Sequence, residues 1–185
     1  MRLYLNSTLL GAGLVALSGS ALAADYVIDP THTFANFQLT HFGASMQDVR
    51  FDDVTGQVQF DAEAKTGAVT IEIAVDSISS GVAPFDSHMK GGEIFDAEAH
   101  PLITFSGDDF RFDGNKVAAV AGELTIKGQT HPITLTARQF NCYDSPMLKR
   151  EVCGGVFDAT IDRTLWGVDY GLDMIAGKEV QLVAR

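Results

Sequence analysis

Residues 69–76 read Val-Thr-Ile-Glu-Ile-Ala-Val-Asp, and this strict alternation limits the folds open to the chain more than any other feature. Side chains that repeat every second residue belong to a strand with one dry face and one wet face. The pattern recurs along the chain. Ala35, Phe37, Leu39 and His41 alternate with Asn36, Gln38 and Thr40. Val54, Val58 and Phe60 are in phase with Gly56, and Phe157, Ala159 and Ile161 alternate with Asp158 and Thr160. Leu124 with Ile126, Ile133 with Leu135, and Val180 with Leu182 repeat it in shorter form. Turn signals at Ala64-Lys65-Thr66-Gly67, Asp113-Gly114-Asn115-Lys116 and Lys127-Gly128-Gln129-Thr130 separate the runs, as in antiparallel hairpins. Nothing alternates a strand with a long helix, which argues against a parallel α/β sheet. About eight strands with one apolar face can close into a barrel or stack as a sandwich, and closure removes exposed edges. We therefore expect one all-β domain, an antiparallel β-barrel of about eight strands. Its inward set mixes small residues (Ala35, Gly56, Ala159) with several of the twelve phenylalanines. That mixture suits a cavity and a filled core equally.

One stretch breaks the strand pattern. Residues 85–105, FDSHMKGGEIFDAEAHPLITF, carry large apolar groups at Phe85, Met89, Ile94 and Phe95. The spacing predicts a short irregular helical segment near residues 84–97 with one apolar face. A strand protein with a helical plug and surplus apolar surface suggests a closed sheet that holds something apolar.

The first residues read as an export signal. Arg2 precedes an apolar run, Leu9 to Leu17, that is too short to span a bilayer, and Ala21-Leu22-Ala23 is a small-x-small cleavage site. The expected division is a leader at 1–23 and a domain at 24–185, working in the periplasm. The formal charge is −11, one unit more negative once Arg2 leaves with the leader. Such a surface repels phosphate backbones, so nucleic acid is excluded as a partner and tight binding to an anionic bilayer is disfavoured. The two cysteines, Cys142 and Cys153, flank a turn-like Asp-Ser-Pro segment. In an exported chain this even pair is expected to form a disulfide.

Catalytic and metal signatures are sparse. The five histidines form no H-x-H or H-x-x-x-H pair, so no metal is assigned. His100 and His131 precede prolines and read as loop residues. There is no G-x-S-x-G elbow and no glycine-rich phosphate loop. Asp52-Asp53 reads as an acidic surface turn. No set supplies nucleophile, base and orienting group together, so no catalytic residue is assigned and no enzyme is expected.

Several motifs in order are similar to those of the YceI-like family of exported polyisoprenoid-binding proteins. They are YVIDPTHTFANFQLTHFG from Tyr26, DVTGQVQF, the segment at 85–105, GELTIKGQTHPITL and RTLWGVDYGLD. The resemblance runs to about Leu182, and the cysteines around PMLKREV match one branch of the family. It implies an extended lipocalin-like barrel, a homodimer, and a long isoprenoid chain in the lumen, loaded by transient membrane contact. Two departures stand out: Phe85-Asp86-Ser87-His88-Met89 lacks the arginine often found there, and Arg50-Phe51-Asp52 replaces a glycine-rich strand start. A missing cation favours a neutral headgroup, so a quinone such as ubiquinone-8 is the expected ligand, with no further cofactor. The expected lining is Phe37, Leu39, Val58, Phe60, Ile71, Ile73, Leu124, Phe157 and Ile161. Phe85, Met89, Ile94 and Phe95 would close one end, and Met46 with Met89 would act as adaptable fillers. Trp166 and His88 would offer donors to the headgroup. Two rival readings stay open: an interaction protein with a solid barrel, and a lipid-modifying enzyme.

Overall fold

The alternating segments become strands of a single sheet. A computed structural model of the chain describes residues 23–172 and 174–185, so the leader read at 1–23 lies outside the described residues apart from Ala23. In chain order the strands are β1 (Ala24–Val27), β2 (Ala35–His41), β3 (Ser45–Phe51), β4 (Val54–Asp61), β5 (Thr66–Ala74) and β6 (Ile78–Ser79). A helix, α1 (Ala83–Lys90), precedes β7 (Leu102–Asp113), β8 (Lys116–Ile126), β9 (Gln129–Ser145), β10 (Arg150–Asp162) and β11 (Glu179–Ala184). Short 3₁₀ turns cover Val75–Ser77 and Arg163–Trp166.

Among the described residues there are eleven strands, where the sequence pattern predicts about eight. β1 and β6 are only four and two residues long, and β3 (Ser-Met-Gln-Asp-Val-Arg-Phe) carries too few apolar residues for its alternation to show. His131 is a strand residue rather than a loop residue: β9 runs through Pro132, which stands opposite Glu123 of β8.

The order across the sheet is β1-β4-β5-β7-β8-β9-β10-β11-β2-β3-β6. Neighbours are antiparallel throughout. The two margins meet through the chain itself. β5 pairs with β4, while β6, reached by the turn at Val75–Ser77, pairs with β3 through Arg50↔Ser79 and Phe51↔Ile78. One sheet therefore curls into a half-barrel, which decides against a sandwich. Register shifts at Gly107/Asp109 and Val156/Phe157 help it bend. At the first of these the backbones nearly touch: a Cβ on Gly122 would lie 2.2 Å from the Ser106 carbonyl oxygen.

α1 ends earlier than expected because Gly91 and Gly92 follow it, and the chain then turns back on itself. The Phe95 amide donates to the Met89 carbonyl (3.1 Å) and the Ala97 amide to the Lys90 carbonyl (2.9 Å). The start of α1 is tied to the residue after β6: Asp86 Oδ1 accepts from the Ser80 amide (2.7 Å) and hydroxyl (2.5 Å). These ties press Phe95 onto Phe37 and Phe51, with ring centroids 5.9 and 5.7 Å away.

The opposite part of the core is built differently. Among the described residues, β9 beyond Ala137 and β10 before Phe157 pair only with each other, forming a two-stranded ribbon. Cys142 and Cys153 face each other across it and form a disulfide, with Cα atoms 4.0 Å apart. The ribbon packs over a run of rings: Tyr26 on Phe60 (5.1 Å), Phe60 on Phe140 (5.7 Å) and Phe140 on Phe157 (6.3 Å). Tyr26 Oη also donates to Glu151 (2.5 Å). Burial, then that bond, then the Glu151 charge push the Tyr26 phenol up to about 12.

Candidate ligand-binding cavity

A cavity of about 180 Å³ lies between α1 and the inner faces of β2, β3, β5, β7–β11. Its walls follow from strand alternation. Phe37 and Leu39 come from β2, Ile73 from β5, Leu124 from β8 and Ile161 from β10. The cover comes from Phe85, His88, Met89, Ile94 and Phe95. These ten residues of the expected lining are gathered in one place. Alternation also brings in Phe51, Ile103, Ile126, Leu135, Val180 and Leu182.

Six expected residues lie elsewhere. Met46 is exposed on β3, where its sulfur accepts from Thr40 Oγ1 at 3.4 Å. Val58, Phe60, Ile71 and Phe157 belong to other parts of the core, the last two rings of Phe60 and Phe157 serving the ribbon stack. Trp166, only 2% exposed, is outside the lining, and its indole N–H is spent on the Leu124 carbonyl at 2.9 Å. Its ring meets His131 edge-on at 5.0 Å. A donor committed to a backbone carbonyl is not free for a headgroup, so the Trp166 expectation does not fit this geometry.

The cavity wall carries six polar side chains: Asn36, His41, Gln47, His88, Arg163 and Tyr170. Three are already engaged. Asn36 Oδ1 accepts from Arg185 Nη1 (3.1 Å), Gln47 Nε2 donates to Ser45 Oγ (3.2 Å), and Arg163 donates to four backbone carbonyls. His41, His88 and Tyr170 make no side-chain hydrogen bond to another described residue. The His88 ring stands edge-on to Tyr170 at 4.9 Å, and His41 packs on Phe42 at 4.6 Å. The chemical content of the cavity is thus an apolar chamber with two imidazoles and one phenol at its border. Those groups can donate to or accept from a neutral polar group.

The acidic pair of the sequence plays no part in this wall. Asp52 sits at the corner between β3 and β4 and pairs with Arg50 at 2.5 Å.

Sequence reasoning missed the part of the wall supplied by Arg163, Val168, Tyr170, Ile175 and Ala176. These residues join β10 to β11 without strand periodicity. The available signal was RTLWGVDYGLD itself, in which Gly167 takes a left-handed conformation (φ 66°) that ends the 3₁₀ turn. His41 was legible too, because it is in phase with Phe37 and Leu39.

The YceI-like domain model matches residues 26–185. Protein YceI of Escherichia coli O157:H7 is 32% identical over 148 residues, covering 77% of this chain and 77% of that protein. A UPF0312 protein of Pseudomonas aeruginosa is 31% identical over 182 residues, covering 94% of this chain and 91% of its own length. Among solved structures, BcnA of Burkholderia cenocepacia superposes with a TM-score of 0.68 at 24% identity, covering 85% of this chain and 96% of that one. A polyisoprenoid-binding domain from Saccharophagus degradans superposes with a TM-score of 0.58 at 14% identity, covering 88% and 95%. The curled sheet, the single helix packed into it and the match over nearly all of the described chain agree: this protein belongs to the YceI-like family.

Proposed function

We infer that the protein binds a long isoprenoid lipid in this cavity and carries it in the periplasm, with an isoprenoid quinone such as ubiquinone as the ligand. The observation that carries this reading is the apolar void bordered by three polar side chains, His41, His88 and Tyr170, that make no side-chain hydrogen bond among the described residues. A packed interior has few voids larger than a water molecule. A void of about 180 Å³ among Phe, Leu, Ile and Val side chains is of the size that binds small apolar molecules, since an engineered cavity of about 150 Å³ takes up benzene. The fold shared with a polyisoprenoid-binding domain supports the lipid class, and the leader-like start of the sequence supports export.

Physical chemistry sets the division of labour. Each buried CH₂ is worth about 0.8 kcal/mol, so the tail supplies the affinity. His41, His88 and Tyr170 would meet the quinone oxygens and fix which end of the ligand lies at the border. The present volume suits a short tail. A long one requires α1 to move outward, and α1 is a wall element that does not belong to the sheet. The solid-barrel reading is disfavoured by the same void.

The test is to strip the protein of lipid and titrate it with quinones of increasing tail length, following the fluorescence of Trp166, the single tryptophan. The expected result is saturable uptake that strengthens with the first isoprene units and becomes slower for long tails. Failure of folded protein to take up any quinone, or equal binding of a tail-less quinone, would overturn it.

A further inference from the structure

The cavity wall contains one charge that its apolar surroundings do not explain. Arg163 is only 7% exposed and opens the 3₁₀ turn after β10. Its Nε donates to the Gly177 carbonyl (2.9 Å) and Nη1 to that of Val168 (2.7 Å), while Nη2 donates to those of Tyr170 (3.0 Å) and Ala176 (3.0 Å). It forms no ion pair among the described residues. The neighbouring Asp162 is taken by Thr164 (2.6 Å) and Lys178 (3.3 Å). A buried guanidinium is costly to desolvate, and here four carbonyl dipoles replace the lost water.

Those four carbonyls come from both ends of the segment that joins the 3₁₀ turn to β11. Other ties act within it or at its ends: the Ile175 and Ala176 amides donate to the Gly171 carbonyl (2.8 and 3.0 Å), Lys127 Nζ donates to the Gly167 carbonyl (3.2 Å), and Val168 is buried in the core. Among the described residues, its strand-like tie to the sheet is the bridge of Ala176 to His41, next to the Phe42 amide that donates to the Ile175 carbonyl (2.7 Å). Yet it brings Val168, Tyr170, Ile175 and Ala176 to the cavity wall. The planar fork of an arginine can reach carbonyls on two sides at once, which a lysine ammonium on its flexible stem cannot reproduce.

We propose that Arg163 is a positioning residue for the ligand cavity: by gathering the carbonyls of residues 168, 170, 176 and 177 it holds Tyr170, Ile175 and Ala176 in the wall and so governs how long the lipid stays bound. The retention half rests on the lipid-binding reading; the positioning half does not.

The experiment compares wild type, Arg163→Met and Arg163→Lys, the last keeping the charge should the Met variant not fold. Amide hydrogen exchange is measured on lipid-free protein, and release of preloaded decylubiquinone into phosphatidylcholine vesicles is timed. The expected result, with both variants alike, is exchange at least tenfold faster at Val168, Ile175 and Ala176, whose amides are hydrogen-bonded. Amides of β7, β8 and β9 keep their wild-type rates, and quinone release is at least tenfold faster. Exchange that is unchanged, or that rises equally across the sheet, overturns the proposal, and so does wild-type release from a variant whose segment has loosened. If Arg163→Lys matches wild type, the fork geometry is not what holds the wall, and the proposal fails. Wild-type protein that takes up no quinone refutes the lipid-binding reading and with it the retention half, while the exchange pattern still decides the positioning half.

Discussion

The two ends of the half-barrel use the same kind of residue for opposite purposes. At the ribbon end, Tyr26, Phe60, Phe140 and Phe157 stack ring on ring, and the Cys142–Cys153 disulfide pins the strands above them. At the α1 end, Phe37, Phe51 and Phe95 also touch, but they leave about 180 Å³ unfilled and share the wall with His41, His88 and Tyr170. Phe37 and Phe60 are both almost fully buried, at 9% and 8% exposure. Burial alone therefore does not distinguish a residue that holds the fold together from one that faces a ligand. What each ring meets on its far side does.

The comparison is easiest to break with core substitutions. Phe60→Ala removes a ring from a filled stack and should cost about 3–5 kcal/mol in denaturant unfolding. The quinone affinity of the protein that remains folded should not change. Leu39→Trp sends bulk into existing space instead. It should leave stability within about 1.5 kcal/mol of wild type and weaken quinone binding at least tenfold by titration. The reverse outcome, with Phe60→Ala losing ligand and Leu39→Trp retaining it, would exchange the roles of the two ends.

Replacing both Cys142 and Cys153 by Ser sharpens the contrast at lower amplitude. In the chain-entropy model a bridge closing so short a loop is worth about 2–3 kcal/mol. Chemical denaturation should show that loss, with binding intact because the bridge is remote from the cavity lining. At the other end, His88→Ala and Tyr170→Phe each remove one hydrogen-bonding group and should weaken quinone binding by about 1 kcal/mol, roughly fivefold, with little change in stability.

The smallest effects concern pH, and the two ends should respond with opposite sign. Hydrogen bonds from Ser80 hold the Asp86 carboxyl below its ordinary pKa. Its contribution to anchoring α1 is therefore present above the ordinary carboxylate range and lost as pH falls through the lowered value. The Tyr26 phenol is raised to about 12, so its contribution to holding the ribbon is present below pH ~10 and lost as pH rises toward 12. Protection factors of α1 amides, corrected for the intrinsic rate at each pH, should fall in acid and those of the ribbon in base. Asp86→Asn should abolish the first dependence, and Tyr26→Phe the second.

The strands were readable because alternation reports directly on one dry face. The change of pattern at Phe85–Phe95 likewise marked the helical cover. The emptiness of one end was not readable: Phe37, Phe60 and Phe157 sit on equally regular strands, and the register that sorts them depends on the curl of the sheet. Trp166 looked like a free donor because nothing in the sequence indicates that Leu124, 42 positions away, would present its carbonyl. Tyr170, Ile175 and Ala176 were missed for a related reason. They reach the wall through a segment with no periodicity, which the side chain of Arg163 holds in place.

The central claim is that the void is a lipid site. It is tested most directly by native mass spectrometry of the protein purified from cells, followed by organic extraction of what is bound. A single recurring isoprenoid lipid, one per chain, lost on Leu39→Trp and kept on Phe60→Ala, is the predicted result. Protein that is repeatedly lipid-free, and that stays so after incubation with isoprenoid quinone, would contradict the account.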